Sequence, residues 1–421
     1  MDKLITNTEF NSLLDYLYNL QRLGIKVGLS HTQDLLKQCG NPQDCFRSIH
    51  VAGTNGKGST CAMLAAILVE AGLKVGLYSS PHLVQFNERI RINGKTISNV
   101  EIISFMKRYK KDIAGIKATF FETTTAMAFD HFRNKKVDVA IIETGLGGRL
   151  DSTNVIKPFL TAITSISLDH LGILGEDIVS IAKEKAGIIK QNVPLFISKQ
   201  EKEVEALIEK IAFSNNSPLY KISSYGNIHL DISGTIFNVG TDSFKVPLLG
   251  HHQAMNGTLA ISIAKAFKPD LSHEIIQKGL MKAQWPGRLQ LLSKSPPIIY
   301  DVAHNASGIS AILQTVKSLF NISPIGLFVM KGDKESNLIA QTLHQFDQLI
   351  ISGGSKYGLL NAEELRKNLH NEGVKNFSTE VSFSIALDQI INQTKNKKRP
   401  GLIFGSHYVA KEIFDKFGFL I

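Results

Sequence analysis

The chain has 421 residues, 43% hydrophobic and 20% charged, enough apolar material for two or three globular domains at roughly 150 residues each. Lys and Arg outnumber Asp and Glu by 47 to 37, a net charge of +10 that draws anions of any kind. The basic residues are scattered, however, and the densest cluster, Lys395 to Arg399 broken by Asn396, reads as a solvated loop and not as a nucleic-acid arm. The three cysteines, Cys39, Cys45 and Cys61, form neither a metal spacing nor a disulfide framework and suit a reducing compartment. The N-terminal MDKLITNTEF lacks the apolar core of a secretory signal, and no run approaches the ~20 apolar residues of a spanning helix. The expectation is a cytoplasmic monomer with small-molecule ligands and neither a nucleic-acid nor a membrane partner.

In chain order, SIHVAG (48–53) predicts a buried strand and STCAMLAAILVEAG (59–72) a helix with a glycine stop. DVAIIETG (138–145), FLTAITSI (159–166) and VPLFIS (193–198) predict further strands, and strands alternating with helical stretches imply a mostly parallel sheet covered on both faces. Between about residues 218 and 250, NIHLDISGTIFNVG and SFKVPLLG predict antiparallel hairpins. A second alternating block begins near residue 297, with PPIIYDVAHN, PIGLFVMKGDK, QLIISGG and PGLIFGSH each ending an apolar run in small or polar residues, the strand tips where α/β sheets bind ligands. The proline-bearing WPGRLQLLSKSPP (285–297) marks a hinge. The expected domains are 1–290 and 297–421, joined by a linker at 291–296.

HVAGTNGKGST (50–60) lies between a predicted strand and a predicted helix. Gly53, Gly56 and Gly58 let backbone N–H groups approach phosphate oxygens, and the helix N-terminus adds a favourable dipole. Lys57 supplies a point charge, and Ser59 or Thr60 a hydroxyl for the phosphate–magnesium unit. The spacing departs from G-x-x-x-x-G-K-[ST], because Gly58 separates the lysine from the hydroxyl. With Thr54 and Asn55 completing the loop, ATP or GTP is the expected ligand. Glu143, at a strand tip beside the flexible TGLGG, is placed to offer a carboxylate to a magnesium ion, a cation that prefers hard oxygen donors.

The loop AGTNGKGST resembles that of the Mur ligase superfamily, and specifically of its folate branch, the folylpolyglutamate and dihydrofolate synthases. The resemblance runs across nearly the whole chain: LYSSPHL (77–83), FNERIRING (86–94), IIETGLGGRLDSTNVI (141–156), LDH (168–170), IAKEKAGI (181–188), WPGR (285–288) and YDVAHN (300–305). It implies a P-loop Mur-ligase-like α/β N-terminal domain with a mostly parallel sheet, and a smaller Rossmann-like α/β C-terminal domain that closes with glutamate. It also implies an ATP-dependent ligase that makes an acyl phosphate from dihydropteroate or a reduced folate and couples it to L-glutamate, releasing ADP and phosphate.

Residue by residue, the resemblance implies catalytic roles for Lys57, Glu143, His170 and Lys185. Two magnesium ions would be held by Ser80, Glu143, His170 and a carbon dioxide-derived carbamate on Lys185. A protonated lysine has no lone pair for a cation, whereas a carbamate offers two oxygens, and burial favours the neutral amine that forms it. Asn256, Arg288 and Asp301 would join residues 53–60 at the nucleotide, although Arg288 and Asp301 equally suit an interdomain ion pair. Gly28, Leu29 and Ser30, Phe121, Glu122, Thr123 and Thr124, and Leu150, Asp151 and Ser152 would hold the pteroate; His304 and Ser406 would hold glutamate. FETTTAMAF (121–129) also reads as a helix start with a capping acid, and Ser80 before proline as a turn initiator. Two other readings are a cell-wall Mur ligase, opposed by ETGLGGRLD and SSPH, and a nucleic-acid-dependent P-loop ATPase, suggested by the basic charge. A degenerate nucleotide binder is opposed by the intact Lys57, Glu143, His170 and Lys185.

Overall fold

A computed structural model describes residues 7–24, 28–222, 225–332, 334, 336–354 and 358–419. The chain divides into two compact units: Met1–Ile166, Ile178–Ser223 and Leu259–Leu280 form the first, and Ser167–Asp177, Ser224–Thr258 and Met281–Ile421 the second. Among the described residues, no helix is long and apolar enough to cross a membrane.

The first unit is built on one eight-stranded sheet. Its strands are β1 (Arg47–Ala52), β2 (Val75–Tyr78), β3 (Ile90–Ile92), β4 (Lys95–Thr96), β5 (Val139–Glu143), β6 (Leu160–Ile163), β7 (Leu195–Ile197) and β8 (Leu219–Lys221), in the order β4-β3-β2-β5-β1-β6-β7-β8. Only β3 and β4 run antiparallel to their neighbours. β1 is flanked by β5 and β6, both parallel to it, and its last five residues are buried, as expected for a strand covered on both faces. Successive strands lie on opposite sides of β1, so the strand order reverses there, and the carboxyl end of such a strand is where an open α/β sheet offers its crevice.

The helix after β1 runs from Lys57 to Glu70, two residues earlier at each end than the sequence suggests. Gly56, at φ +89°, is its N-cap, and this left-handed residue turns the chain straight into the helix. At the other end Gly72 adopts φ +85°, with Gly72 N donating to Val69 O and Leu73 N to Leu68 O. This is the paired closure that a glycine just past a helix permits. Phe120, Phe129 and Phe132 on the helix Phe120–Lys135 pack with Leu17, Leu35, Phe86 and Phe105 into one apolar core.

The second unit holds two sheets. β9 (Tyr225–Asp231), β10 (Gly234–Val239) and β11 (Asp242–Val246) form an antiparallel meander, the appendage the alternating pattern predicts. Leu219–Lys221, at the start of that predicted hairpin region, instead adds to the first unit's sheet, parallel to β7. The other sheet comprises β12 (Gln290–Lys294), β13 (Pro297–Asp301), β14 (Ile325–Phe328), β15 (Leu349–Ser352), β16 (Phe377–Glu380) and β17 (Gly401–Phe404), ordered β12-β13-β17-β14-β15-β16. All neighbours are parallel except β12 with β13. Phe404 stacks on Phe346 at 5.1 Å and lies against Phe328 in the core of this sheet.

Phe132 is fully buried, and a methyl group built on Gly76 of β2 would sit 2.8 Å from its ring. Phe132→Ala should therefore cost about 3–5 kcal/mol, and Gly76→Ala about 1–3 kcal/mol by overpacking. In urea unfolding, the double variant should lose less than the two single losses combined, because the ring that the new methyl strikes is gone. Strict additivity would contradict this contact.

Candidate active site

The turn after β1 is fixed from several sides. Gly53 takes φ +143°, and any Cβ there would run into the Thr164 side chain, so no other residue fits. The N–H groups of Thr54 and Asn55 both donate to the Ser165 carbonyl, at 2.9 and 3.2 Å. These two amides of the predicted loop thus hold it to the end of β6. The first turn of the helix Lys57–Glu70 carries the amides that a helix leaves without intrahelical partners. Ser59 and Thr60 are buried in that turn.

Two lysines meet on this loop. Lys57 Nζ donates to Gly53 O at 2.9 Å and to Thr54 O at 3.2 Å. Lys185 Nζ, from the helix Ile178–Ala186, donates to the same Gly53 oxygen at 2.9 Å and is 4% exposed. A lysine four residues from Gly53 and one 132 residues from it thus place two amines within about two hydrogen-bond lengths of each other. Glu143 ends β5, buried, and its Oε2 accepts the Ser80 N–H at 3.3 Å; the Ser80–Pro81 peptide is cis. Burial, and next the Glu143 charge, push the Cys61 thiol well above its ordinary value, with Lys57 opposing. Lys57, Ser80, Glu143 and Lys185 therefore gather around one loop of the first unit.

Among the described residues, no three His, Cys, Asp or Glu side chains form a metal-holding group. The oxygen-bearing side chains at the loop, Glu143 and Ser80, are hard donors of the kind magnesium takes, and magnesium retains waters and phosphate oxygens for its other positions. The donor set fits that ion. Lys185 is the buried amine on which the family resemblance would place a carbamate.

The segment Gly145–Asn154 is bolted down by its own polar groups. Asp151 Oδ2 accepts the N–H groups of Gly145 and Leu146, at 2.9 and 2.8 Å, and Oδ1 accepts the Thr153 N–H at 3.0 Å and the Thr153 hydroxyl. Arg149 pairs with Glu184, and Asn154 Nδ2 donates to Gly187 O, tying the segment to the helix end that carries Lys185. A Cβ on Gly145 would lie 3.4 Å from the Phe121 ring and 3.5 Å from Ser80 Oγ. Phe121 is 42% exposed, with the Arg89 guanidinium 5.8 Å from its centroid and Arg89 Nε donating to His82 Nδ1 at 2.8 Å.

The neighbouring residues are engaged internally. Glu122 accepts the Thr119 N–H at 2.6 Å as half of a capping box; Thr123 is fully buried, and Thr124 Oγ1 lies 2.9 Å from Tyr78 OH. Ser152 Oγ bonds Thr125 Oγ1 at 2.7 Å, and Leu150 is half-buried. Gly28 takes φ +111°, and Leu29 precedes the helix Ser30–Gln38. Lys26 and Val27, just before these residues, lie outside the described residues.

The second unit carries His170 and the other predicted residues. Asp169, beside it, is the hub: Lys334 Nζ donates to Oδ1 at 2.7 Å, Asn305 Nδ2 to Oδ2 at 3.3 Å, and His304 Nε2 stands 3.5 Å from Oδ2. Burial alone would raise the Asp169 carboxyl, but His304, then His170 and Lys334, outweigh it and hold the group well below the usual carboxylate range. His170 has φ +54°, with Nε2 3.4 Å from Lys334 Nζ. His304 Nδ1 donates to Val302 O at 3.0 Å. Asp301, at the tip of β13, accepts the N–H groups of Leu289 and Ala303 at 2.8 and 2.7 Å; burial pushes its carboxyl up against the pull of Arg288. Asn256 donates to Gln253 Oε1 at 3.1 Å, and Ser406 Oγ accepts the Tyr408 N–H at 3.2 Å. Asp169 and Lys334 were missed in the sequence reading, although each stands in a quoted segment, LDH and MKGDK; their separation of 165 positions hides the pairing.

Residues 51–264 match the Mur ligase middle domain, and residues 287–407 the Mur ligase glutamate ligase domain. The dihydrofolate synthase/folylpolyglutamate synthase of Bacillus subtilis (strain 168) is 38% identical over 429 residues, covering 96% of this chain and 98% of its own. The Mycobacterium tuberculosis folylpolyglutamate synthase complexed with ADP superposes with a TM-score of 0.90 at 29% identity, over 98% of this chain and 99% of that one. Escherichia coli FolC in complex with DHPP and ADP gives 0.84 at 28% identity, over 96% and 97%. With the phosphate loop, the two lysines and the paired domains all in hand, the chain belongs to the Mur ligase family, in its dihydrofolate synthase/folylpolyglutamate synthase branch.

Proposed function

We propose that this ATP-dependent acid–amino-acid ligase adds L-glutamate to dihydropteroate, to reduced folates or to both. The observation that most supports the reading is the Gly53 carbonyl shared by Lys57 and Lys185, with Glu143 and Ser80 beside it. Residues 53–60 cradle the phosphates, and Lys57 leaves its carbonyl partners for the more strongly attracting phosphate oxygens. Asn256, Arg288 and Asp301 serve the nucleotide. Phe121, with its ring exposed, stacks on the flat pterin; Gly28–Ser30, Glu122–Thr124 and Leu150–Ser152 shape that pocket. His304 and Ser406 receive glutamate.

The substrate carboxylate attacks the γ-phosphate, forming an acyl phosphate and releasing ADP. The uncharged amine of glutamate then attacks the acyl carbon; the amide bond forms, the C–O bond to phosphate breaks, and the amine proton leaves. Glu143 and Ser80 would hold one magnesium ion and His170 a second, ions that when bound neutralise charge on the transferring phosphoryl group. A carbamate on Lys185 would convert a buried cation into an anion with two oxygen donors. Arg149 and Asn154 keep Lys185 and the Gly145–Asn154 segment in register.

ADP release should require L-glutamate together with either dihydropteroate or a reduced folate, and supplying each acceptor separately distinguishes single addition from chain extension. ADP release stimulated by DNA or RNA and indifferent to glutamate would overturn the reading. Lys185→Ala should lower turnover about 100-fold or more, as expected when a positioned electrostatic group is removed, without rescue by bicarbonate. A wild-type rate in that variant would remove Lys185 from the chemistry.

A further inference from the structure

One buried polar side chain has no part in the chemistry above. His50 sits in β1, three residues before the phosphate loop, and is fully buried. Its Nε2 lies 2.8 Å from Thr153 Oγ1, and the Thr153 hydroxyl donates to Asp151 Oδ1. A hydroxyl has one proton, and here it goes to the carboxylate. The Thr153 oxygen must then accept from His50, which fixes the imidazole as the neutral Nε2–H tautomer. Burial, then the Lys190 charge, push His50 down to about 3, so the neutral ring persists through the physiological range. The other nitrogen, Nδ1, is buried with no hydrogen-bond partner. An unsatisfied buried nitrogen is costly, and an apolar residue would avoid that cost, so the donor at Nε2 is what the imidazole contributes here.

We infer that His50 is a positioning residue that acts, through Thr153 and Asp151, to hold the Gly145–Leu146 amides and so the wall of the site between Ser80 and Phe121. The proton order is continuous: His50 Nε2–H to Thr153, Thr153 O–H to Asp151, and Asp151 accepting from the amides of Gly145 and Leu146. Without His50, the Thr153 oxygen has no donor, and its hydroxyl bond to Asp151 loses the polarisation that a chain of hydrogen bonds supplies. The carboxylate is then held less firmly at the oxygen that accepts the Thr153 N–H and hydroxyl, and the amide clamp on the other loosens. The loop lies against both Ser80 and Phe121, so slack there reaches the carboxylate substrate. The nucleotide loop does not depend on this relay, being held by Ser165, Thr164 and the two lysines.

The kinetic consequence rests on the pteroate reading above; the structural consequence does not. The test compares His50→Gln, whose side-chain amide can still donate to Thr153, with His50→Leu, which cannot, and with Thr153→Val, which keeps the shape of the chain and removes the hydroxyl. In the full-length protein, hydrogen exchange at Gly145 and Leu146 should accelerate about tenfold or more in the Leu and Val variants and stay near wild type in the Gln variant. The KM for dihydropteroate or the reduced folate should rise about 10–100-fold in the Leu and Val variants, the scale of losing a residue that orients a ligand-bearing group, while ADP affinity stays unchanged. The double variant His50→Leu/Thr153→Val should be no worse than either single change. Wild-type exchange in Thr153→Val, or equal losses in His50→Gln and His50→Leu, would overturn the relay. If the wild-type protein used neither acceptor, the substrate reading would fail while the exchange data still decided the role of His50.

Discussion

A single carbonyl oxygen, that of Gly53, organises the first unit's site. It accepts from Lys57 and from Lys185, so β1, the helix Lys57–Glu70 and the helix Ile178–Ala186 all register on one peptide group. The backbone can present that oxygen only because Gly53 takes a left-handed conformation with Thr164 where a side chain would stand. Two amines brought this close raise the local positive potential, which favours an incoming polyanion. That attraction follows from the packing of this loop.

What the sequence discloses is what depends on short-range order. The alternation of apolar strands with helical stretches predicts the parallel sheets, because period and run length are local properties. The phosphate loop is legible for the same reason: strand, glycines, lysine and helix must follow one another within a dozen residues. Even there the helix begins two residues early, at Lys57, because the glycine that permits the turn also serves as the cap. Lys185 is not legible from local chemistry, since a Lys-Glu-Lys run reads as a solvated helix face; only the resemblance of EKAGI to a family pattern singles it out, and its burial is a tertiary fact. The links that hold the site, His50 to Thr153 and Asp169 to Lys334, span 103 and 165 positions and leave no periodic trace. The threonines of FETTTAMAF illustrate the mixed case. The capping box is readable as Thr119 with Glu122, whereas the Tyr78 partner of Thr124 comes from a distant strand.

Asp151 and Asp169 each follow an apolar residue in a polar loop, and each gathers donors to saturation. Asp151 receives three amides and a hydroxyl. Asp169 receives Lys334, Asn305 and the His170 amide, with His304 alongside. A carboxylate with both oxygens filled has little remaining capacity for a ligand. Such a group works by holding a flexible segment in one shape. In the first unit that segment is the glycine-rich stretch after Glu143; in the second it is the turn that gives His170 its left-handed backbone. Strain of this kind persists only when surrounding bonds over-determine the conformation, and the four partners of Asp169 meet that condition. The two acids most committed to the scaffold, Asp151 and Asp169, are thus not the ones the sequence offers as metal ligands. Under the proposed function, the groups that would face chemistry are Glu143 and His170, set on segments that these two acids hold in shape.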